Sequence, residues 1–357
     1  MAKIDSFLQH LVQNEGSDLH LSCGDAPVIR QHGTIQRVKY RALTSADLDC
    51  LLNEILTEEM RERFERTNDL DFAYEVPGLA RFRGNLFQQH RGPGAVFRVI
   101  PSKIPTADEL NLPSAVREFT RLSKGLVLVT GPTGSGKSTT LAAMIDLINE
   151  TRGDHILTIE DPIEFVHPIK KSLINQREVG PHTDSFSSAL KAALREDPDV
   201  ILVGEMRDRE TISLALTAAE TGHLVFGTLH TNSAHKTVDR IIDSFPADQQ
   251  EQVRAMLSES LRGVVAQQLL RKKVTGRVAA HEILVGTPAI GNLIREGKTF
   301  QIPSIVQTGK QHGMIQMDQS IQAHLSAGLI DPDEAYTKAH DKALFRPHIE
   351  RVAGAMA

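Results

Sequence analysis

A glycine-rich loop between an apolar segment and a helical pattern most constrains the fold of this chain. Residues 131–138 read Gly-Pro-Thr-Gly-Ser-Gly-Lys-Ser and directly follow the apolar run 125–129. A strand, such a loop and a helix form a phosphate-binding loop, because glycines let backbone N–H groups face an anion and the helix N-terminus adds a positive dipole. We therefore predict a nucleotide site made by Gly131, Pro132, Thr133, Gly134, Ser135, Gly136, Lys137, Ser138 and Thr139. In it Lys137 reaches the β- and γ-phosphates and the Ser138 hydroxyl ligates Mg²⁺.

Length, charge and cysteine content exclude several classes of protein. A chain of 357 residues suggests roughly two or three domains. A net charge of −5, 4% aromatic residues and no Trp provide little surface for nucleic acid, which we do not expect as a partner. No apolar run approaches the roughly 18 residues of a membrane span, and the start lacks the features of a signal peptide. Cys23 and Cys50 are too few for a disulfide framework or a four-cysteine zinc site, so we expect a cytoplasmic protein.

The first 100 residues predict a small α+β domain. Strands are predicted at 18–22, 27–32, 34–38, 80–87 and 95–100, the second and third joined as a hairpin at Gly33. One amphipathic helix, with Thr44 or Ser45 as its N-cap, is predicted from apolar residues at helical spacing: Leu48, Leu51, Leu52, Ile55, Leu56 and Met60. Prolines at 101, 105 and 113 indicate a linker over 101–118.

Strands and helices alternate from about residue 119 onward. Strands are predicted at 126–130, 155–160, 200–204 and 223–229, and helices at 137–150, 185–196, 208–221 and 234–243. This alternation favours a largely parallel sheet covered on both faces. After residue 245 the pattern is mainly helical, apart from a strand at 278–285. We therefore divide the chain into domains at 1–100 and 119–285 and a helical C-terminal region at 286–357.

Acidic and histidine side chains follow the predicted strands. Glu205 follows the buried strand at 200–204, where a carboxylate can hold a Mg²⁺-bound water or orient the attacking water. After strand 155–160 come Glu160, Asp161 and Glu164, of which one can serve as a general base, although acidic loops are commonly only solvated. His230 follows strand 223–229 and can contact a γ-phosphate, and we include His223 among the nucleotide-binding residues.

Three arginines lie on the predicted strands of the first domain: Arg81, Arg83 and Arg98. An arginine supplied by a neighbouring subunit is a known way to complete a P-loop site. Arginines on strands at a sheet edge are also commonly plain surface residues. The sequence leaves both interpretations open and does not rank the three.

Four segments together resemble the secretion ATPase superfamily. Segments 131–138, 157–167, 197–208 and 221–234 are similar to its Walker A, Asp, Walker B and His boxes, in the same order and at the same spacing as in type IV pilus motors. The resemblance extends from Ser17–His20 to Ala289–Glu296 and is strongest to the pilus retraction branch. It implies an α/β fold, with a RecA-like P-loop ATPase domain, a smaller N-terminal α+β PAS-like domain and a helical C-terminal tail.

The resemblance also implies an activity, partners and residue roles. A member of this branch is a homohexameric, Mg²⁺-dependent ATPase that drives pilus retraction and twitching motility. Each subunit's N-terminal domain packs on its neighbour's ATPase domain, which makes Arg81, Arg83 and Arg98 possible phosphate contacts. Glu205 is then assigned to the Mg²⁺ and its water, and Glu164 to general base. The implied partner is an inner-membrane pilus platform protein, contacted from the cytoplasmic face of that membrane.

Two features bear on the branch within the superfamily. Extension and type II secretion ATPases usually carry an additional N-terminal region and a four-cysteine metal module, and this chain begins almost at the PAS-like domain. The C-terminal signature of the retraction branch, Ala-Ile-Arg-Asn-Leu-Ile-Arg-Glu, has Gly291 here in place of its first Arg. This difference leaves an auxiliary retraction paralogue as an alternative.

Rivals of other classes remain open from the sequence. They are a nucleotide-gated scaffold, a RecA-like DNA translocase and a secretion ATPase that acts without a pilus. The acidic set at 160–164 and Glu205 favours hydrolysis over gating. The acidic net charge argues against a DNA translocase.

Overall fold

A computed structural model describes residues 2–31, 34–100 and 103–349. The chain divides into two compact units. The first contains Met1–Lys103 and Glu164–Val166, and the second contains Ile104–Ile163 and His167–Ala357. No helix in the described ranges has the length and apolar character that crossing a lipid bilayer requires.

The N-terminal unit contains a six-stranded antiparallel sheet with the strand order β3-β2-β1-β6-β5-β4. Its elements in chain order are α1 (Asp5–Gln13), β1 (Asp18–Ser22), β2 (Val28–Gln31), β3 (Thr34–Arg37), α2 (Ser45–Asn53), α3 (Glu58–Thr67), β4 (Asp69–Val76), β5 (Ala80–Gln89) and β6 (Gly92–Ile100). The predicted strands are confirmed, while the hairpin residue Gly33 lies outside the described residues. The sequence interpretation missed α1 and β4.

The single amphipathic helix predicted from Leu48 to Met60 is wrong, because the structure has two helices there, α2 and α3. Thr44 caps α2 as predicted: its hydroxyl accepts a hydrogen bond from the Asp47 backbone N–H, and the Asp47 carboxylate accepts one from the Thr44 N–H. A second cap, the Thr57 hydroxyl, accepts from the Met60 N–H and begins α3. A capping side chain in the middle of an apolar pattern therefore divides it.

The second unit contains a seven-stranded sheet with the order β13-β12-β7-β11-β10-β8-β9. Its strands are β7 (Gly125–Thr130), β8 (His155–Glu160), β9 (Leu173–Glu178), β10 (Val200–Val203), β11 (Leu224–Leu229), β12 (Leu261–Arg271) and β13 (Arg277–Val285). Its helices are α4 (Ser114–Phe119), α5 (Lys137–Thr151), α6 (Phe186–Ala193), α7 (Arg209–Glu220), α8 (Ala234–Asp243), α9 (Gln250–Ser260), α10 (Pro288–Arg295), α11 (Ile302–Thr308), α12 (Met317–Ser326) and α13 (Pro332–Lys338), with 3₁₀ turns at Thr299–Gln301, Gly309–His312 and Lys342–Leu344.

Six of these seven strands run parallel, and only β13 is antiparallel to its neighbour. Every residue of β7, β10 and β11 is buried, which explains their uninterrupted apolar sequences. The carboxyl ends of parallel strands meet at one edge of the sheet, which is where open α/β sheets bind ligands. This register brings the ends of β7, β11, β10 and β8 side by side.

The strand predicted at 278–285 is confirmed as β13, but the prediction of a mainly helical chain after residue 245 is wrong for β12. Strand β12 pairs in parallel with β7, so it lies beside the P-loop strand. Its sequence, Leu-Arg-Gly-Val-Val-Ala-Gln-Gln-Leu-Leu-Arg, contains residues compatible with either a helix or a strand, and burial on both faces removes the alternation that marks a strand. The edge strand β9 was also missed. Beyond β13 the described chain is helical, as predicted.

Acid is expected to destabilise the second unit through His281 on β13. Burial, reinforced by His324 of α12, lowers the pKa of His281 to about 4. The unfolded chain binds a proton near pH 6.5 and the folded chain does not, so stability falls as the pH drops below that value. Between pH 7 and pH 5 we expect the free energy of unfolding to fall by about 2 kcal/mol more in wild type than in His281→Leu.

Chemical denaturation at the two pH values measures this difference. The exposed His90 provides the control, since His90→Leu should keep the wild-type dependence on pH. Equal pH dependence of wild type and His281→Leu would show that His281 is protonated in the folded protein.

Candidate nucleotide site

The P-loop connects β7 to α5 with its glycines in conformations that other residues rarely adopt. Gly134 and Gly136 have φ values of +78° and +87°, and Gly136 is the N-cap of α5. The Lys137 ammonium donates to the carbonyl oxygens of Gly131 and Pro132, at 2.9 and 3.2 Å. The lysine therefore lies folded over the loop, and in this position it can exchange backbone carbonyls for phosphate oxygens.

Gln267 of β12, which the sequence interpretation missed, packs against this loop. Its side-chain NH₂ donates to the Ser135 carbonyl oxygen at 2.7 Å, and its side-chain oxygen accepts from the Thr140 hydroxyl at 2.8 Å. Only 3% of Gln267 is exposed. Its backbone also approaches closely, since a Cβ on Gly131 would lie 2.2 Å from the Gln267 carbonyl oxygen. Because β12 was not predicted as a strand, the contact between Gln267 and the P-loop could not be predicted either.

Glu205 lies just beyond β10, and hydrogen bonds between strands hold the turn that carries it. The Thr228 hydroxyl of β11 donates to the Gly204 carbonyl, and the Met206 N–H donates to the Thr228 carbonyl at 3.1 Å. Asp208 then caps α7 by accepting from the Thr211 N–H at 2.8 Å. The glutamate is thus placed between a fixed strand end and a fixed helix start.

One carboxylate oxygen of Glu205 has two cationic or polar neighbours. Oε1 accepts from Arg207 Nε at 2.7 Å and lies 3.0 Å from His230 Nε2. Partial burial favours the protonated acid, but the hydrogen bonds and charges of Arg207 and His230 outweigh it and hold the pKa of Glu205 below its ordinary value. Glu205 is therefore an anion at neutral pH. With Thr231 and Arg240, these residues line a cavity of about 420 Å³.

Arg207 is a second residue that the sequence interpretation did not assign to the site, although it stands two positions after Glu205. It also interacts electrostatically with Asp161, at the end of the next strand. The ends of β8, β10 and β11 are thus linked by charge. A basic residue two positions after the predicted acidic one was the available signal.

The other acidic candidates are placed differently. Glu160 Oε1 accepts from the Thr158 hydroxyl at 2.6 Å and from Gln176 Nε2 at 3.2 Å, so it joins β8 to β9. Glu164 is exposed in the segment between these strands. Its contacts give Glu160 a structural role. Because Glu164 is exposed, its carboxylate is accessible to water or a ligand.

The assignment of His223 to the nucleotide site is wrong for this chain's own P-loop. His223 precedes β11, whose first residue, Leu224, pairs with Gly125 at the start of β7. Its carbonyl accepts from the Gly125 N–H, and its ring contacts the Ala218 carbonyl at 3.0 Å. The P-loop follows the opposite end of β7, about 20 Å away along six strand residues. Sequence order did not distinguish the two ends of β11.

The three candidate arginines share one face of the N-terminal sheet. Arg81 and Arg83 alternate with buried residues along β5, and Arg83 is directly opposite Arg98 of β6. Arg98 Nε donates to the buried Asp18 carboxylate at 2.7 Å, and Arg83 lies 3.7 Å from Asp71. Arg98 therefore pairs with a buried carboxylate, whereas Asp71, the partner of Arg83, is exposed.

A parallel sheet with a P-loop after one strand, β7, and a carboxylate after another, β10, with β11 between them, defines the class of P-loop nucleoside triphosphatases. The family model "Type II/IV secretion system protein" matches residues 2–335. The chain belongs to this family.

Characterised members of the family resemble the chain over nearly its whole length. "Type IV pilus retractation ATPase PilT" of Pseudomonas aeruginosa is 56% identical over 336 residues, 94% of this chain and 98% of the relative. "Twitching motility protein" of Neisseria gonorrhoeae is 57% identical over 316 residues, 88% of this chain and 84% of the relative. A crystal structure of "the Pilus Retraction Motor PilT and Bound ADP" matches with a TM-score of 0.90 at 48% identity, covering 96% of this chain and 98% of that one. The predicted family and α/β fold are confirmed.

Proposed function

We propose that this protein is the ATP-hydrolysing motor that retracts type IV pili. The observation that carries this conclusion is the match over almost the full length of both chains to a pilus retraction ATPase. The P-loop, Glu205 and His230 supply a site suited to hydrolysis at the carboxyl edge of the sheet. The expected cellular result of its work is pilus disassembly and twitching motility.

The chain's own residues suggest how a triphosphate is held and cleaved. Backbone N–H groups of the P-loop and the N-terminus of α5 bind the phosphates, and Lys137 moves from the loop carbonyls to the β- and γ-phosphates. Glu205 orients the attacking water, while Arg207 and His230 fix its carboxylate. His230, at the end of β11, is placed to respond to loss of the γ-phosphate.

Mg²⁺ fits this donor set. Mg²⁺ is usually bound by one or two protein oxygens, substrate phosphates and water rather than by a cage of protein ligands. Accordingly, the described residues contain no cluster of three or more His, Cys, Asp or Glu side chains that could hold a metal ion. We assign its binding to the Ser138 hydroxyl and, through water, to Glu205. When bound, Mg²⁺ neutralises charge that develops on the phosphate oxygens.

Removal of divalent metal tests the proposed hydrolysis. We expect purified protein to release phosphate from ATP with Mg²⁺ and to lose at least about 100-fold of that rate in excess EDTA. Restoring Mg²⁺ should restore turnover, which controls for damage by the chelator. Equal phosphate release in both conditions would contradict a Mg²⁺-dependent ATPase, and none in either would favour a nucleotide-gated scaffold.

We further propose that the working form is a homohexamer whose sites are completed between subunits. Arg81, Arg83 or Arg98 of one subunit would contact the γ-phosphate held by its neighbour. Of these, Arg98 pairs with buried Asp18 and Arg83 lies 3.7 Å from exposed Asp71. Hydrolysis would open and close successive subunit contacts around the ring.

Within the site, we propose Glu164 as the general base.

The proposed partner is an inner-membrane platform protein of the pilus machinery. A ring that changes shape with each hydrolysis event can turn or displace such a platform. This places the protein in the cytoplasm, at the cytoplasmic face of the inner membrane. No nucleic-acid partner is proposed, given the net charge of −5.

Gly291, which differs from the retraction signature, lies at a helix contact. A Cβ at this position of α10 would lie 2.9 Å from the Ser258 carbonyl oxygen of α9. Arg295, one turn later, reaches the same residue, with its Nη2 3.1 Å from the Ser258 hydroxyl. Glycine thus permits the close packing of α9 and α10. The difference therefore gives no specific support to an auxiliary paralogue or to a secretion ATPase without a pilus.

This close contact predicts the effect of Gly291→Ala. Alanine is better than glycine in a helix by about 1 kcal/mol, but its methyl group would force α9 and α10 apart. We expect a net loss of about 1 kcal/mol and a thermal midpoint lower by a few degrees. Asn292→Ala, at an exposed position of the same helix, should leave the midpoint unchanged or slightly raised. A midpoint raised by Gly291→Ala would contradict the close contact.

A further inference from the structure

Gln267 connects the P-loop to the first turn of α5 from a strand outside both. Its side-chain amide bonds the Ser135 carbonyl on one side and the Thr140 hydroxyl on the other. All three residues are buried, with at most 3% of each exposed. Water therefore competes little for these hydrogen bonds, and the amide holds a single orientation between its two partners.

The bond to Ser135 determines where the next N–H points. The peptide between Ser135 and Gly136 is planar, so its carbonyl oxygen and its N–H point in opposite directions. With the oxygen held by Gln267, the Gly136 N–H is directed away from β12. Such loops bind anions through inward-directed backbone N–H groups. Rotation of this peptide would withdraw one donor from the site.

The fit around Gln267 is close enough to maintain this orientation. A Cβ on Gly136 would lie 2.8 Å from the Gln267 side-chain nitrogen. The Thr140 hydroxyl donates to the amide oxygen, which leaves the amide NH₂ facing Ser135. Thr140 thus orients Gln267, and Gln267 orients the loop.

We propose that Gln267 is a positioning residue that sets the P-loop peptide in its phosphate-binding orientation before nucleotide arrives. The inference rests on the proposed function of this loop as the ATP site. Preorganisation of a binding loop lowers the cost of ordering it on association. Gln267 should therefore contribute to nucleotide affinity and to KM, with little effect on kcat.

The experiment compares two neighbouring glutamines in full-length protein. Gln267→Met removes both hydrogen bonds at similar side-chain volume and is expected to weaken binding of a fluorescent ADP analogue about tenfold. KM for ATP should rise similarly, with kcat at saturating ATP within about threefold of wild type. Gln268→Met is the matched control, because Gln268 instead contacts the Lys338 carbonyl of α13, and it should keep wild-type affinity.

A second variant covers the case in which Gln267→Met does not fold. Thr140→Val removes only the hydroxyl that orients the amide, and we expect about threefold weaker ADP binding. The buried amide oxygen loses its donor, so the thermal midpoint without nucleotide should fall by a few degrees while the protein stays folded. Wild-type affinity in a folded Gln267→Met or in Thr140→Val would overturn the proposal. A large loss of kcat with unchanged affinity would also overturn it. Failure of wild type itself to bind ADP would instead refute the nucleotide site.

Discussion

Lys137→Ala is expected to abolish tight nucleotide binding and to reduce ATP turnover by at least about 1,000-fold. The ammonium group provides the charge nearest to the β- and γ-phosphates in a P-loop, and no other lysine lies in residues 131–139. The variant should remain folded, because Lys137 is only partly buried and its ammonium donates to P-loop carbonyls. Affinity for a fluorescent ADP analogue and phosphate release together measure the effect.

Lys124 provides the control for this substitution. It lies directly before β7, at the opposite end of the strand from the P-loop, and it is exposed. Lys124→Ala should bind nucleotide and release phosphate at wild-type rates. Tight ADP binding by Lys137→Ala would show that the loop binds nucleotide in another way.

Glu205→Gln is expected to bind ATP with near wild-type affinity but to lose about 100- to 1,000-fold in turnover. The substitution keeps the shape of the side chain and removes the negative charge that polarises water. In the wild type, Arg207 and His230 keep Glu205 ionised at neutral pH. A neutral amide retains a hydrogen-bond acceptor for Arg207, so the turn after β10 should keep its structure.

Single-turnover phosphate release separates binding from chemistry in this variant. Glu210→Gln is the matched control, because Glu210 lies five residues later, is exposed and pairs with Lys191. It should turn ATP over at the wild-type rate. Normal turnover in Glu205→Gln would remove Glu205 from the mechanism and leave Glu164 as the acidic candidate.

The sequence was sufficient where chemistry is encoded locally. The P-loop has a fixed spacing of glycines, lysine and serine, and β7, β10 and β11 are short apolar runs between turn residues. Glu205 and His230 could be placed together because parallel strands end at the same edge of a sheet. These parts depend on local pattern and on one topological rule.

Features that depend on tertiary pairing were missed. Strand β12 has a sequence compatible with a helix and becomes a strand by pairing with β7, so Gln267 could not be connected to the P-loop from sequence. His223 was misplaced because the segment 221–234 was treated as one site. The six-residue strand β11 lies within it and separates His223 from His230. The pairing of Arg98 with Asp18 likewise joins residues 80 positions apart.

Whether ATP hydrolysis by this protein retracts pili is tested most directly in cells. Surface pili would be counted and twitching motility measured after deletion of the gene and after complementation with wild type or Lys137→Ala. We expect abundant but non-retracting pili in the deletion strain, with motility restored by wild type and not by Lys137→Ala. A deletion strain without pili would contradict this expectation, because that result assigns the protein to pilus assembly.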